Sequence, residues 1–196
     1  ITHVMESYLS SKAISPIQDG FTETIVKTIL RYLPRALETP DDYESRSNIS
    51  YCSTLALSGM INNGRGRKFP MHAIEHTLSG HLDIPHGLGL GMIMVPYMNY
   101  IKDHNREKLH KFAVEIMGVE PEKGTDRAIE SGIDLYSRWQ KSIGIIERLG
   151  DFVDDERSLR KYARETVELK SGKNGFIDSA IPLYEDDIVN ILKNSL

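Results

Sequence analysis

Residues 70–101 read PMHAIEHTLSGHLDIPHGLGLGMIMVPYMNYI, and this stretch decides the fold class. Proline in a first helical turn is a helix-opening residue, because the N–H it lacks has no intrahelical partner there. A helix is therefore expected from about Phe69–Pro70 to Gly80. LDIP (82–85) makes a turn. A second helix is expected from about His86 to Ile101, with Pro96 as a kink inside it. The apolar run LGLGMIMVPYM at 88–98 is shorter than the roughly 18 apolar residues of a membrane span. It suits a helix buried in a protein core.

Outward from this pair the chain keeps helical periodicity. Upstream, SPIQDGFTETIVKTILRYLPRALE places Phe21, Ile25, Ile29, Leu30, Leu33 and Leu37 on one face, with Pro16 near its start. TPDDYESRSNISYCSTLALSGMINNG opens at Pro40 and Asp41 and is expected to stop at its terminal NNG. Downstream, NREKLHKFAVEIMG carries Leu109, Phe112, Ala113, Ile116 and Met117 as a buried stripe. EKGTDRAIESGIDLYSRWQKSIG is expected to end at Gly144. Two further segments, DERSLRKYARETVELKSG and LYEDDIVNILKNSL, complete the set. No alternating β-branched run is long enough for a strand. The expectation is an all-α chain, a single helical domain of about eight to nine helices over residues 1–196.

The composition is that of a soluble globular protein, with 40% hydrophobic and 27% charged residues. A net charge of -4 and the lack of any basic run interleaved with aromatics argue against nucleic acid or an anionic membrane as partner. The single cysteine, Cys52, cannot form an intrachain disulfide and reads as a small buried hydrophobe, so a reducing, cytoplasmic setting is expected. The opening ITHVMESYLS has no initiator methionine, no signal-peptide pattern and no N-cap ahead of Val4, Tyr8 and Leu9. Residue 1 is expected inside a helix, and the sequence reads as a piece of a larger chain.

Residues 72–86 hold four of the seven histidines in fifteen positions. Imidazole is a common ligand for first-row divalent ions, which need three or four donors near 2.0–2.2 Å. His72 and His76, four apart, share a helix face, whereas His81, nine beyond His72, points to the opposite side. From His72 the helix runs on for roughly 12 Å. The connection to His86 covers up to about 17 Å when extended, so His86 can return to lie beside His72. His81, His104 and His110 read as structural or surface residues. Spacing thus supports a metal site but leaves its ligands and its reaction open. HAIEH also matches the inverted zinc-protease motif, with His72 and His76 as zinc ligands and Glu75 as base. A non-enzymatic helical module that binds a partner is a further class.

The run MHAIEHTLSGHLDIPHGLGLGMIMVP, together with THVMESYLS, YESRSNISYCSTLALSGMINNG and IDSAIPLYEDDIVNILKNSL, resembles the iron-containing (group III) alcohol dehydrogenases and, within them, the butanol dehydrogenase-like branch. The resemblance implies a dehydroquinate synthase-like, C-terminal α-domain. Its partner would be an N-terminal nucleotide-binding domain that is absent from these residues. GLGLG at 87–91 follows no strand and is no substitute for a pyrophosphate loop; its glycines are expected to allow close helix packing.

By the same resemblance a divalent metal, Fe2+ foremost and Zn2+ or another ion next, is held by His3, His72, His86 and an aspartate four positions before His3, ahead of Ile1. Without that carboxylate, weaker metal binding is expected. His76 corresponds to a histidine beside the nicotinamide and is expected to place the cofactor or relay a proton. The implied reaction is hydride transfer between NAD or NADP and a small alcohol or aldehyde, with homo-oligomerisation possible. The isolated 196 residues lack the hydride donor's surface and are expected to be inactive. Within the wider superfamily, a zinc-dependent glycerol dehydrogenase or a dehydroquinate synthase is the alternative. Those enzymes do without a histidine at position 3, so His3 favours the iron-type branch.

Overall fold

The computed structural model describes residues 1–66, 68–121, 124–153 and 155–196. Its helices are α1 Thr2–Ser10, α2 Pro16–Glu38, α3 Tyr43–Leu57, α4 Pro70–Leu82, α5 His86–Ile101, α6 Arg106–Lys111, α7 Thr125–Ser142, α8 Glu156–Lys170 and α9 Glu185–Lys193. Among the described residues, the β-type pairing recorded is one isolated antiparallel bridge between Ile177 and Leu183. The all-α expectation holds.

The quoted stretch supplies the centre of the fold. α5 is apolar around most of its circumference, with Leu90, Met92, Ile93, Met94, Tyr97, Met98 and Ile101 all buried. A helix of that kind must be surrounded, and α1, α4, α7 and α9 pack against it. α4 and α5 are joined through Asp83, whose φ of 51° lies in the left-handed region that Asp and Asn tolerate best among residues with a side chain. Gly89 on α5 faces α4. A Cβ there would stand 2.9 Å from Cγ and Oε1 of Glu75, so glycine lets that carboxylate lie flat on the neighbouring helix. Gly91 makes the same kind of allowance toward Ile145, while Gly87 has open space around it. Two of the three glycines in GLGLG therefore serve packing.

Three sequence expectations shift. In α2 the buried face carries Asp19, Thr22, Ile25, Val26, Ile29 and Ala36, whereas Phe21 and Leu37 are exposed. The helix is rotated because Asp19 and Thr22 anchor it to buried Arg65, which apolar periodicity does not register. α3 stops at Leu57, ahead of Gly59 in a left-handed conformation (φ 74°), rather than at NNG. The segment after Asn105 is not one regular helix: α6 passes into a single π turn at Phe112–Ile116. Its expected stripe is still inward, with Leu109, Phe112, Ala113 and Ile116 buried and Met117 partly so.

Cys52 is buried and free, as expected. Among the described residues no helix is long and apolar enough to cross a membrane.

Candidate metal centre

Four histidines from three helices form a continuous row. His3 lies in the first turn of α1, His72 and His76 share one face of α4, and His86 is the first residue of α5. His72 is central, with ring centroids 4.9 Å from His3, 5.2 Å from His86 and 5.8 Å from His76. His76 and His86 are 5.5 Å apart. His81 lies apart from this row, on Glu165 and against Tyr162.

Two buried carboxylates orient the row. Glu6 of α1 takes His72 Nδ1 on Oε1. Its Oε2 accepts the backbone N–H groups of Met71 at 2.8 Å and His72 at 3.2 Å. α4 has no side-chain cap of its own, so an acidic residue from another helix satisfies its orphan N-terminal donors and meets its positive dipole end. Glu75 takes His86 Nδ1 on Oε2 at 2.5 Å and Ser79 Oγ on Oε1. Both carboxylates have 0% exposure, which decides their role: they hold imidazoles rather than meet solvent. Burial pushes the Glu6 carboxyl up, opposed by its bond to His72.

With Nδ1 on a carboxylate, His86 keeps Nε2 as its remaining ligand nitrogen, and His72 turns its own toward His3, an orientation typical of metal-bound imidazole. His72 Nε2 and His3 Nδ1 are hydrogen-bonded at 3.3 Å. That spacing is also close to the roughly 3.4 Å between two nitrogens each bound at about 2.1 Å to one tetrahedral ion. Burial first, and then the positive charge His72 would carry, lower the basicity of His3. Burial and then Lys170 lower that of His76. Neutral imidazole is the ligand-competent form.

Among the described residues, the group whose ligand atoms all lie within 4.8 Å of one another is Glu75, His76 and His86, whereas His3, His72 and His86 are linked by the 3.3 Å His3–His72 approach and the 5.2 Å ring separation of His72 and His86. In that set both Glu75 oxygens are already engaged. The same engagement leaves Glu75 no free oxygen to activate water in the zinc-protease manner.

His72 stands between two cavities. One, of about 330 Å3, reaches His3, His72 and His86 and is walled by Ile29, Leu33, Leu90, Trp139 and Ile145. The other, of about 310 Å3, is bordered by His72 and His76 with Lys68, Lys170 and Asp178. One side of the row is mainly apolar, and the other mixes apolar Phe69, Ala73 and Ile177 with Lys170 and the Lys68–Asp178 ion pair. Sequence reasoning did not identify Glu6 or Glu75 as imidazole partners. Local spacing would have misled, since each sits three residues from a histidine on its own helix but holds a histidine of another helix.

The family model for the Fe-containing alcohol dehydrogenase family, C-terminal, matches residues 1–196. The chain is 32% identical over 198 residues to NADH-dependent butanol dehydrogenase A of Clostridium acetobutylicum, covering 100% of this chain and 50% of that protein. It is 27% identical over 166 residues to the NADPH-dependent aldehyde reductase YqhD of Escherichia coli, covering 85% of this chain and 43% of that one. The crystal structure of NADH-dependent butanol dehydrogenase A from Thermotoga maritima aligns with a TM-score of 0.89 at 30% identity, covering 98% of this chain and 49% of that chain. The chain thus spans about half the length of the curated relatives it matches. Its all-helical fold and the match along its whole length agree: the chain belongs to the Fe-containing alcohol dehydrogenase family, matching the model of its C-terminal part.

Proposed function

We propose that this chain is the metal-holding half of an NAD(P)-dependent alcohol dehydrogenase or aldehyde reductase acting on small primary alcohols or aldehydes. His3, His72 and His86 hold a divalent ion, Fe2+ foremost and Zn2+ next, and His76 sits beside the nicotinamide. The carrying observation is the 3.3 Å approach of His3 Nδ1 to His72 Nε2, with Nδ1 of His72 and of His86 tied to buried carboxylates. When bound, the ion supplies Lewis-acid polarisation of an alcohol or carbonyl oxygen.

This chain's residues do the rest. The apolar cavity takes the substrate's carbon chain and excludes water from it. On the opposite side Lys170 supplies the charge suited to an anionic dinucleotide, Lys68 being paired with Asp178 at 3.0 Å. Glu6 and Glu75 fix the tautomer and tilt of His72 and His86. The nicotinamide's main binding surface belongs to a nucleotide-binding half that pairs with this one, in keeping with the half-length match to relatives. The relatives include an NADH-dependent and an NADPH-dependent enzyme, so the cofactor is NAD or NADP. A cytoplasmic setting goes with the lone buried thiol of Cys52.

The test is calorimetric titration of the chain with Zn2+, and with Fe2+ under anaerobic conditions. His3→Ala, His72→Ala and His86→Ala are expected to remove measurable binding, while His76→Ala retains it. Binding that survives His3→Ala and is lost in His76→Ala would overturn this ligand set in favour of the Glu75, His76 and His86 grouping.

A further inference from the structure

We propose that Ile145 is the end-stop that sets how long an alkyl chain the histidine cavity accepts. This rests on the alcohol and aldehyde reading above and names what selects among such substrates. Beyond the apolar cavity lies a second one of about 310 Å3, whose walls include Met92 and Val95 but also Lys141, Glu147 and Arg148. Gly91, Gln140 and Ile145 line both cavities. These three residues therefore form the partition.

Two of the three are fixed. Gln140 is buried, and its Nε2 donates to the Gly91 carbonyl at 3.1 Å. Gly91 has no side chain, and a Cβ built on it would stand 3.1 Å from both Cδ1 and Cγ2 of Ile145. The Ile145 side chain thus lies directly over the one backbone position that has nothing of its own to block passage. Ile145 follows the end of α7, with its N–H bonded to the Gln140 carbonyl at 3.1 Å. Its side chain is the removable part of the wall.

A substrate whose oxygen sits at the histidines runs its tail along Ile29, Leu33, Leu90 and Trp139 toward Ile145. Each methylene buried on that path strengthens binding about fourfold. A tail that passes Ile145 enters a chamber with charged walls, where further methylenes bring little gain. Affinity is therefore expected to climb with chain length and then level off, with Ile145 setting the length at which it levels.

Trp139 is the sole tryptophan of the chain and lines the cavity, so its fluorescence reports occupancy without any turnover. The experiment titrates the protein with 1-alkanols from ethanol to 1-octanol and records the length at which affinity levels. Ile145→Ala is expected to move that length to longer alcohols, with roughly fourfold tighter binding for each added methylene it admits. Ile145→Phe is expected to move it to shorter ones. Far-UV circular dichroism confirms that each variant is folded, and the two substitutions test the claim from opposite directions. Folded variants that level off at the wild-type length overturn the proposal. A metal-loaded wild-type chain whose affinity shows no dependence on length also overturns it, without touching the dehydrogenase reading. A chain that takes up no metal yet shows both length shifts overturns the His3, His72 and His86 ligand set and supports the role of Ile145.

Discussion

Glu6 and Glu75 each place one carboxylate oxygen on the Nδ1 of a histidine and spend the other on a neighbouring donor. A carboxylate so placed makes the imidazole a better electron donor and locks its ring. It also contributes negative charge near a site that would otherwise carry only neutral imidazoles. Glu6→Gln is close to isosteric and can still accept a backbone N–H at the start of α4. It is expected to weaken divalent metal binding by about 10–100-fold, read by competition with a chromophoric chelator. Unchanged affinity would show that Glu6 serves only as a helix cap. At this scale the sequence pointed to the histidines but not to their supports. Spacing alone allowed His72, His76 and His86 to gather, as they do, whereas His3 was reached only through the family resemblance. A glutamate in a helix is usually solvated, and only the fold shows that Glu6 and Glu75 are sealed beneath the rings they orient.

At the scale of the element, α7 meets the π turn at a single close crossing. A Cβ on Gly132 would stand 2.5 Å from Cβ and 2.7 Å from Cα of Ala113. The turn is widened there: Met117 N–H bonds to the Phe112 carbonyl five residues back, and Val119 N–H to that of Ala113. Replacing a helical glycine by alanine ordinarily gains about 1 kcal/mol. Here the obstacle is backbone, which cannot swing away, and overpacking of this kind costs about 1–3 kcal/mol. Gly132→Ala is therefore expected to destabilise the protein. Gly80→Ala, in α4 with nothing within 4 Å of the new methyl, is expected to stabilise it by about 0.5–1 kcal/mol. Thermal denaturation of the two variants checks the opposite signs, and a stabilised Gly132→Ala would refute the crossing. The element whose burial is apolar was legible, since α5 spans His86–Ile101 as its pattern predicts, while α4, which also buries Glu75 and Thr77, was marked by its opening proline and ends two residues later than expected. In α2 the expected face holds at Ile25, Ile29, Leu30 and Leu33 and fails at Phe21 and Leu37, because polar Asp19 and Thr22 help define the buried side. The π turn left no trace in periodicity, since one extra residue in a turn keeps Leu109, Phe112, Ala113 and Ile116 inward.

Across the whole molecule, Asp19 is the point where distant segments meet. Its carboxylate is 4% exposed and pairs with Arg65, from the segment after α3, and with Lys108 of α6 at 2.5 Å. Arg65 also donates to Ser15 at 3.2 Å and Thr22 at 3.0 Å. Both cations stand over the ring of Tyr8 on α1, at 5.5 and 5.0 Å from its centroid. Four segments of the chain are thus held by one buried anion. Such a cluster adds little over a well-packed apolar one, but removing one partner strands the others, at a cost of about 3–5 kcal/mol. Asp19→Asn leaves Arg65 and Lys108 buried without their counter-charge and is expected to cost that much near neutral pH. The pH dependence follows from the carboxyl itself. Burial alone would raise its pKa, but Lys108 and Arg65 outweigh burial and hold it below the ordinary value. A carboxyl depressed in the folded state contributes stability above its unfolded pKa of about 3.9 and loses it as the pH falls toward the folded value. The stability gap between wild type and Asp19→Asn is therefore expected to be full at pH 7 and to shrink below about pH 4. Acidic groups remote from the cluster cancel in the difference; Glu23, which shares Lys111 with Asp19, belongs to the cluster. Urea unfolding of the pair at pH 7 and pH 3 measures it, and a gap of the same size at both would show that the cluster's charge does not hold these four segments together.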